Sequence, residues 1–268
     1  MKINILKAKV SKGALSKSSN GLLNAPDEIE KEIYENIFGS IYLKNPSISF
    51  NFYEVNENDT IDKTLNLVEE EIIKKDIDAT IGGNHVISYA TIKSFKKKYP
   101  HGKVIIFDAH PDVESDFFIS HEDYLRILIN EKILKNKDVI LIGLRNASND
   151  ELKFLKSKKI KYFSAKDVYF NEKKVINFLS KLKDPCFISI DIDVFDPCFA
   201  PGTGYVENFG ISPFQFLKII ESLEKIKMFD IVEINSEKDI NKITINLASR
   251  IIYELSIKIK KNKKENFK

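Results

Sequence analysis

Carboxylates and imidazoles stand at the ends of predicted strands in this chain. In the segment VIIFDAHPD, residues 104–112, four apolar residues are followed by Asp108, His110 and Asp112. Because an extended chain alternates its side chains, these three groups can point the same way as the strand ends. Converging carboxylates repel one another unless a cation joins them. The segment by itself leaves two interpretations open, a metal site or a polar strand-to-loop junction with hydrogen-bonded caps.

Two further segments favour the metal site. In residues 187–193, FISIDID, a second apolar strand ends in carboxylates spaced two apart, and in residues 79–85, ATIGGNH, a strand runs through two glycines into a histidine. The glycines permit a tight exit that keeps the histidine near the strand end. Two imidazoles and four carboxylates match a site for two divalent ions, and an oxygen-rich set without cysteine favours manganese over zinc. The predicted metal ligands are His85, Asp108, His110, Asp112, Asp191 and Asp193.

These segments resemble the signature motifs of the ureohydrolase family, the arginases and agmatinases, and are most similar to those of agmatinases. The order and spacing of five segments agree with the family, and the resemblance extends over most of the chain. The five are Gly82–His85, Asp108–Asp112, Ser189–Asp193, Asp196–Gly204 and Asp230–Asn235.

The resemblance implies a manganese-dependent hydrolase with two Mn²⁺ per subunit that cleaves a guanidino group and releases urea. Two bound metals lower the pKa of water enough to provide a nucleophile near neutral pH. The implied ligands of one ion are His85, Asp108, Asp112 and Asp191. Those of the second ion are His110, Asp108, Asp191 and Asp193, so that Asp108 and Asp191 bridge the two.

Three further residues receive roles from the same resemblance. Glu233 is predicted to orient the guanidinium, Asp196 to contact the substrate, and His121 to pass a proton to the leaving amine. Each position also has a simpler interpretation: Glu233 could cap a helix or pair with a lysine, and His121 could be an exposed residue at a helix start. Asp196 belongs to a segment that could be no more than a tight turn.

The segment between the second motif and His121 predicts the substrate. It contains the acids Glu114 and Asp116 and the rings of Phe117 and Phe118. The resemblance implies that this loop helps to form the end of the pocket that meets the group opposite the guanidinium. Acids there repel a carboxylate and attract an ammonium, and the rings could pack on a methylene chain. The alternative is that the acids face solvent and the rings pack against the sheet. The prediction is agmatine cleaved to putrescine, a reaction of polyamine biosynthesis.

Other functions remain open from the sequence. The chain could be an arginase or another guanidino-acid ureohydrolase, or a catalytically weak relative acting as a binding or assembly module. A two-metal phosphoesterase would need a cation near the site, for which Arg126 and Arg145 are the candidates. Three positions depart from the family pattern: Asn84 replaces an aspartate, and Glu122 and Phe209 replace glycines.

Strand and helix patterns alternate along the 268 residues. Strands are predicted near 3–8, 48–54, 77–82, 103–108, 138–143, 160–163, 186–192 and 229–234, with a helix opening at Pro26 and capping boxes at Ser148 and Ser212. This alternation predicts an α/β fold with a mostly parallel sheet, and the resemblance implies a three-layer α/β/α arrangement. We predict one domain over residues 1–268.

Composition excludes several classes of partner. A net charge of +3 indicates no polyanion such as nucleic acid, and no apolar run is long enough for a membrane span. Two cysteines cannot build a disulfide framework, so the predicted location is the cytoplasm. The partner predicted is a small guanidino substrate, and the resemblance implies homo-oligomers, either trimers or hexamers.

Overall fold

One parallel sheet organises the molecule. The computed structural model describes residues 2–13, 20–35, 48–115 and 119–265, and all neighbouring strands named in this part of the chain pair in parallel. Each of the eight predicted strands is present. They are β1 (Lys2–Lys9), β2 (Ser49–Asn56), β3 (Ala79–Gly82), β4 (Lys103–Phe107), β5 (Val139–Leu144), β6 (Lys161–Ser164), β7 (Cys186–Asp191) and β8 (Ile226–Val232).

Helices cover both faces of the sheet. They are α1 (Asn20–Glu35), α2 (Ile61–Lys75), α3 (Ser88–Lys98), α4 (Tyr124–Asn130), α5 (Asn149–Lys158), α6 (Ala165–Phe170), α7 (Glu172–Leu179), α8 (Pro213–Glu221) and α9 (Ile243–Glu265). Alternate side chains of a strand enter opposite layers: Ile105 and Phe107 pack with α1, α8 and α9, whereas Val104 and Ile106 pack with α2, α3 and α4. The predicted three-layer α/β/α fold is confirmed.

Two of the predicted helix starts are confirmed and one is wrong. Ser148 and Ser212 each form a capping box, α5 and α8 following directly. The helix expected to open at Pro26 begins at Asn20 and contains the proline. Proline in a helix interior removes one backbone hydrogen bond. Burial of the apolar face of α1, including Ile29, stabilises the helix on both sides of it.

Strand order brings the motif segments together. The order across the sheet is β2-β1-β3-β8-β7-β4-β5-β6. β3 and β4 follow each other in the chain but are not neighbours in the sheet, because β8 and β7 lie between them. In open α/β sheets, ligands bind at the carboxyl ends of strands where the order reverses. The carboxyl ends of β3, β8, β7 and β4 lie side by side at that point. Within the described residues, no helix is both long enough and apolar enough to cross a bilayer.

Candidate metal centre

A close backbone approach sets the exit from β3. A Cβ atom at Gly83 would lie 2.0 Å from the carbonyl oxygen of Val10, so a side chain does not fit there. The next residue, Asn84, donates its backbone N–H to the same oxygen at 2.8 Å. Its amide oxygen accepts from the backbone N–H of Val86 at 3.0 Å and opens a 3₁₀ turn that begins at His85. Asn84 therefore provides the cap that an aspartate would provide, but without the charge.

Carboxylates also shape the exits from β4 and β7. Asp108 follows β4 directly and accepts from the backbone N–H of His110 at 2.6 Å. Asp191 ends β7 and accepts from the backbone N–H of Asp193 at 2.9 Å, where a second 3₁₀ turn forms. Asp193 in turn accepts from the backbone N–H of Ala109 at 3.1 Å. The Oδ1 atom of each acid therefore holds a loop, and none of these backbone bonds uses Oδ2.

The first cluster surrounds the Nδ1 atom of His85. This nitrogen lies 2.9 Å from Asp112 Oδ2, 3.2 Å from Asp108 Oδ2 and 3.3 Å from Asp191 Oδ2. Asp112 is held there in the left-handed region, with φ at 52°. A backbone strained in this way is common at functional sites.

The second cluster surrounds the Nδ1 atom of His110. It lies 3.1 Å from Asp193 Oδ2 and 3.5 Å from Asp108 Oδ1. Asp108 therefore presents Oδ2 to His85 and Oδ1 to His110, so it belongs to both clusters. The ligand atoms of His85, Asp108 and Asp112 all lie within 4.8 Å of one another, as do those of Asp108, His110 and Asp193.

The unsatisfied atoms in these clusters fit a cation. His85 Nδ1 and Asp108 Oδ2 are both buried, and neither has a hydrogen-bond partner among the described residues, although they are 3.2 Å apart. The two atoms approach each other without the alignment of a hydrogen bond. Buried polar atoms are almost always paired. A metal ion between them would satisfy both.

Charge in the clusters supports the same fit. Burial and the neighbouring Asp108 carboxylate raise the pKa of Asp112 to about 7. Burial, together with Asp193 and Asp108, raises the pKa of Asp191 well above its ordinary value. Despite burial, the neighbouring imidazole rings of His110 and His85 lower the pKa of Asp108. The acids cannot all ionise beside one another without a cation, so binding of divalent ions would release protons.

The second ring nitrogen of His85 is fixed by residues behind the site. Nε2 lies 3.0 Å from the Tyr124 hydroxyl and 3.2 Å from Ser189 Oγ. Ser189 donates to Asp230 at 2.7 Å, and Ser88 donates to the other oxygen of Asp230 at 2.8 Å. This network orients the ring so that Nδ1 faces the carboxylates. Sequence reasoning missed the contact of Tyr124, because only a helical pattern marked that position.

A cavity of about 260 Å³ opens over both clusters. Seven acids and three histidines line it, and within the described residues no lysine or arginine does. The lining residues are His85, His110, Asp112, Glu114, His121, Glu122, Asn146, Ser148, Glu151, Asp191, Asp193, Thr203, Tyr205 and Glu233. Sequence reasoning does not identify five of these as site residues, although it assigns Ser148 to a helix cap. The five are Asn146, Ser148, Glu151, Thr203 and Tyr205.

Both residues with predicted catalytic roles line the cavity. Glu233 follows β8 with φ at 61°, and its Oε1 atom accepts from the backbone N–H of His85 at 2.6 Å. Burial raises the pKa of Glu233. His121 directs Nδ1 to the carbonyl oxygen of Gly13 at 2.9 Å, and its Nε2 atom has no hydrogen-bond partner among the described residues. The nearest carboxylate oxygen to Nε2 given by the structure is Glu122 Oε1, at 3.5 Å.

Two parts of the substrate prediction have different outcomes. Asp196 does not reach the cavity lining: its carboxylate accepts from the backbone N–H groups of Cys198 and Gly210, each at 3.2 Å, and holds its own loop. Its role as a substrate contact stays a prediction. Glu114 does line the cavity, whereas Asp116, Phe117 and Phe118 lie outside the described residues.

Comparison with known proteins agrees with this geometry. A model of the arginase family matches residues 15–257. The chain belongs to the arginase family. Hydrolases of this family depend on a binuclear metal centre, and the six clustered His and Asp side chains are consistent with one.

Relatives named for different activities have similar sequence identities to this chain. The agmatinase of Bacillus subtilis is 29% identical over 81% of this chain and 78% of its own length. The mitochondrial guanidino acid hydrolase of Homo sapiens is 28% identical over 78% of this chain and 61% of its own length. Proclavaminate amidino hydrolase from Streptomyces clavuligerus has the same fold, with a TM-score of 0.86 at 22% identity over 97% of this chain and 92% of that chain.

Proposed function

We propose that this arginase-family ureohydrolase binds two Mn²⁺ per subunit and hydrolyses agmatine to putrescine and urea. The principal support is a cavity that is lined by seven acids and, within the described residues, by no lysine or arginine, and whose floor holds two His/Asp clusters. Agmatine carries a cation at each end, and an acidic wall attracts both.

The six clustered residues hold the metals in this proposal. His85, Asp112, Asp108 and Asp191 bind the first ion, and His110, Asp193 and the same two bridging acids bind the second. Bound divalent ions lower the pKa of water enough to make it a nucleophile near neutral pH. Manganese fits a set of carboxylates and imidazoles; the two cysteines lie elsewhere, Cys186 in the core and Cys198 at the surface.

Glu233 and His121 act on the substrate itself. Glu233 has one oxygen fixed by the backbone N–H of His85, and its other oxygen accepts an N–H of the guanidinium and orients the reacting carbon. Water adds its oxygen to that carbon, the bond to the alkyl-bearing nitrogen breaks, and both protons of the water end on the leaving amine, giving urea and an alkylammonium. The leaving amine takes a proton from Nε2 of His121, which the bond from Nδ1 to Gly13 keeps directed into the cavity.

The outer wall favours an amine over an acid at the far end of the substrate. Glu114 and Glu122 line it beside Glu151. The amide of Asn146, which could otherwise donate to a carboxylate, donates instead to Glu207 at 2.8 Å. A guanidino acid would therefore place its carboxylate among like charges, which weakens binding.

The alternative functions find less support. A phosphoesterase needs cations around the phosphate, but the side-chain hydrogen bonds of Arg126 and Arg145 are made to backbone carbonyl oxygens, and neither residue lines the cavity. The unsatisfied His85 Nδ1 and Asp108 Oδ2 atoms at the base of an open cavity favour a metal-dependent enzyme over a binding module.

Competition between two substrates of similar length tests the proposal. Agmatine and 4-guanidinobutyrate both carry a guanidino group on a short methylene chain and differ in the charge of the far end. We expect a higher kcat/KM for agmatine, measured as urea released from Mn²⁺-loaded enzyme. Glu114→Gln is expected to reduce the preference, and Glu70→Gln, at an exposed position on α2, is the matched control. A higher kcat/KM for 4-guanidinobutyrate or for arginine contradicts the proposed substrate.

Elemental analysis tests the metal centre separately. We expect two Mn²⁺ per subunit after loading and dialysis, and loss of both metal and activity in Asp191→Ala, since this acid is proposed to bridge the ions. A parent protein that retains no metal when supplied with excess Mn²⁺ contradicts the proposed centre.

A further inference from the structure

Arginine is rare in this chain, and Arg145 lies beside the metal centre. Lysine and arginine together number 42, and three of these are arginines: Arg126, Arg145 and Arg250. We propose that Arg145 is a positioning residue that fixes the second metal subsite, formed by Asp108, His110 and Asp193. It does so by joining the loops that carry these ligands. The inference rests on the proposed function only in requiring that two ions bind.

The side chain of Arg145 holds the turn after β7. Its Nη2 atom donates to the carbonyl oxygen of Asp193 at 2.5 Å, and Nη1 donates to that of Val194 at 3.3 Å. Asp193 thus has its carboxylate aimed at His110 and its own carbonyl held from behind. The guanidinium is a rigid planar fork, so it fixes the direction of the turn as well as its distance.

The same guanidinium holds the loop that covers His110. Nη2 donates to the carbonyl oxygen of Glu207 at 2.9 Å, and Nε donates to that of Asn208 at 3.0 Å. The Glu207 carboxylate lies 3.5 Å from His110 Nε2, on the side of the ring away from the metal ligands. A carboxylate behind a ligating histidine fixes the orientation of the ring. Arg145 therefore acts on both sides of His110.

The backbone of Arg145 completes the connection to the third loop. Its N–H donates to the carbonyl oxygen of Ala109 at 2.9 Å, between Asp108 and His110. The approach is possible because Gly143 adopts φ of 105°, where a Cβ atom would lie 2.5 Å from a methyl carbon of Val194. Arg145 thus connects the loop after β4, the turn after β7 and the covering loop.

The partners of Arg145 point to positioning rather than to substrate binding. Its hydrogen bonds are to backbone carbonyl oxygens, and the side chain does not line the cavity. None of these hydrogen bonds joins the guanidinium to His85 or Asp112 of the first cluster. Loss of the guanidinium is therefore expected to affect the two ions unequally.

Manganese titration of three variants tests the inference. Arg145→Met keeps the length of the side chain without its donors, and Arg145→Lys keeps the charge without the fork. Lys166→Met is the control, because Lys166 is exposed and lines the same surface groove as Arg145. Metal content after equilibrium dialysis gives the two binding constants, and electron paramagnetic resonance separates single Mn²⁺ ions from coupled pairs.

In Arg145→Met, we expect the second ion to bind about 10- to 100-fold more weakly, the range for residues that orient a ligand, with the first ion nearly unaffected. Uncoupled Mn²⁺ signals would then persist at concentrations that give coupled pairs in the parent. Arg145→Lys is expected to lie between the two, and Lys166→Met to match the parent.

Three outcomes overturn the inference. The binding constants of Arg145→Met could match those of the parent, both ions could bind equally more weakly in Arg145→Met, or Lys166→Met could weaken the second ion as much as Arg145→Met does. Circular dichroism of the metal-free proteins checks folding, and Arg145→Lys decides if the methionine variant does not fold. These readouts do not use urea release. The metal titration can therefore be interpreted even if agmatine is not the substrate, and a negative titration result does not argue against agmatine.

Discussion

Glu233→Gln separates the charge of the proposed guanidinium contact from its shape. Glutamine keeps an oxygen that can accept from the backbone N–H of His85, the contact that Glu233 makes at 2.6 Å. It removes the negative charge that would face the substrate cation. We therefore expect metal occupancy to stay at the parent level while kcat/KM for agmatine falls.

The size of the fall follows from the partial burial of Glu233. A hydrogen bond to a charged group contributes about 1.5–3 kcal/mol, and breaking a buried charge pair costs about 2–5 kcal/mol. The overlap, about 2–3 kcal/mol, corresponds to a reduction of about 30- to 160-fold. Because burial raises the pKa of Glu233, protonation on lowering the pH removes the same charge from the parent. The ratio of parent to variant kcat/KM is therefore expected to shrink as the pH falls through that raised pKa.

The assay is urea release from agmatine at fixed Mn²⁺ loading, with metal content measured on the same samples. Glu237→Gln is the control, since this glutamate is exposed four residues further along the chain. A reduction of about fivefold or less is the range of a solvent-screened ion pair and would refute a direct contact. Loss of metal in Glu233→Gln would show that the residue acts on the metal centre instead.

Three further predictions concern catalysis and stability. His121→Asn is expected to lower kcat about 100-fold or more with metal occupancy intact, as for loss of a general acid; unchanged kcat would contradict the role. Asp138→Asn is expected to lower the free energy of unfolding in urea by about 3 kcal/mol at pH 7, because it leaves the buried Lys96 ammonium without the carboxylate charge at 3.0 Å. Despite burial, Lys103 and Lys96 lower the pKa of Asp138 below 3.8. The contribution of its carboxylate to stability is therefore present above pH 3.8 and is lost as the pH falls through the lower folded pKa. The free energies of unfolding of parent and variant are expected to converge in acid. Phe209→Gly is expected to raise the free energy of unfolding by about 1 kcal/mol, because Phe209 is 84% exposed with φ at 62°; Phe214→Gly, in the first turn of α8 and 78% exposed, is expected to give no such gain.

Local patterns in the sequence determined the elements and the chemical types at the site. Apolar residues that end in Asp108 or Asp191 define both a strand and its carboxyl end, because side-chain alternation and burial act over a few residues. The capping boxes at Ser148 and Ser212 are equally local, and both are present. Two Mn²⁺ per subunit, agmatine as substrate, a single domain, cytoplasmic location and a homo-oligomer stay predictions.

Tertiary structure decided which groups meet. Asp196 stands in a motif segment, yet the backbone N–H groups nearest to it take both of its oxygens. Tyr124 reaches His85 across 39 residues, and Arg145 reaches the carbonyl of Asp193 across 48. A hydroxyl and a guanidinium can bond to many acceptors, so residue type alone does not select the partner. The order β3-β8-β7-β4-β5 brings these loops together, and that order is a property of the folded sheet rather than of any one segment.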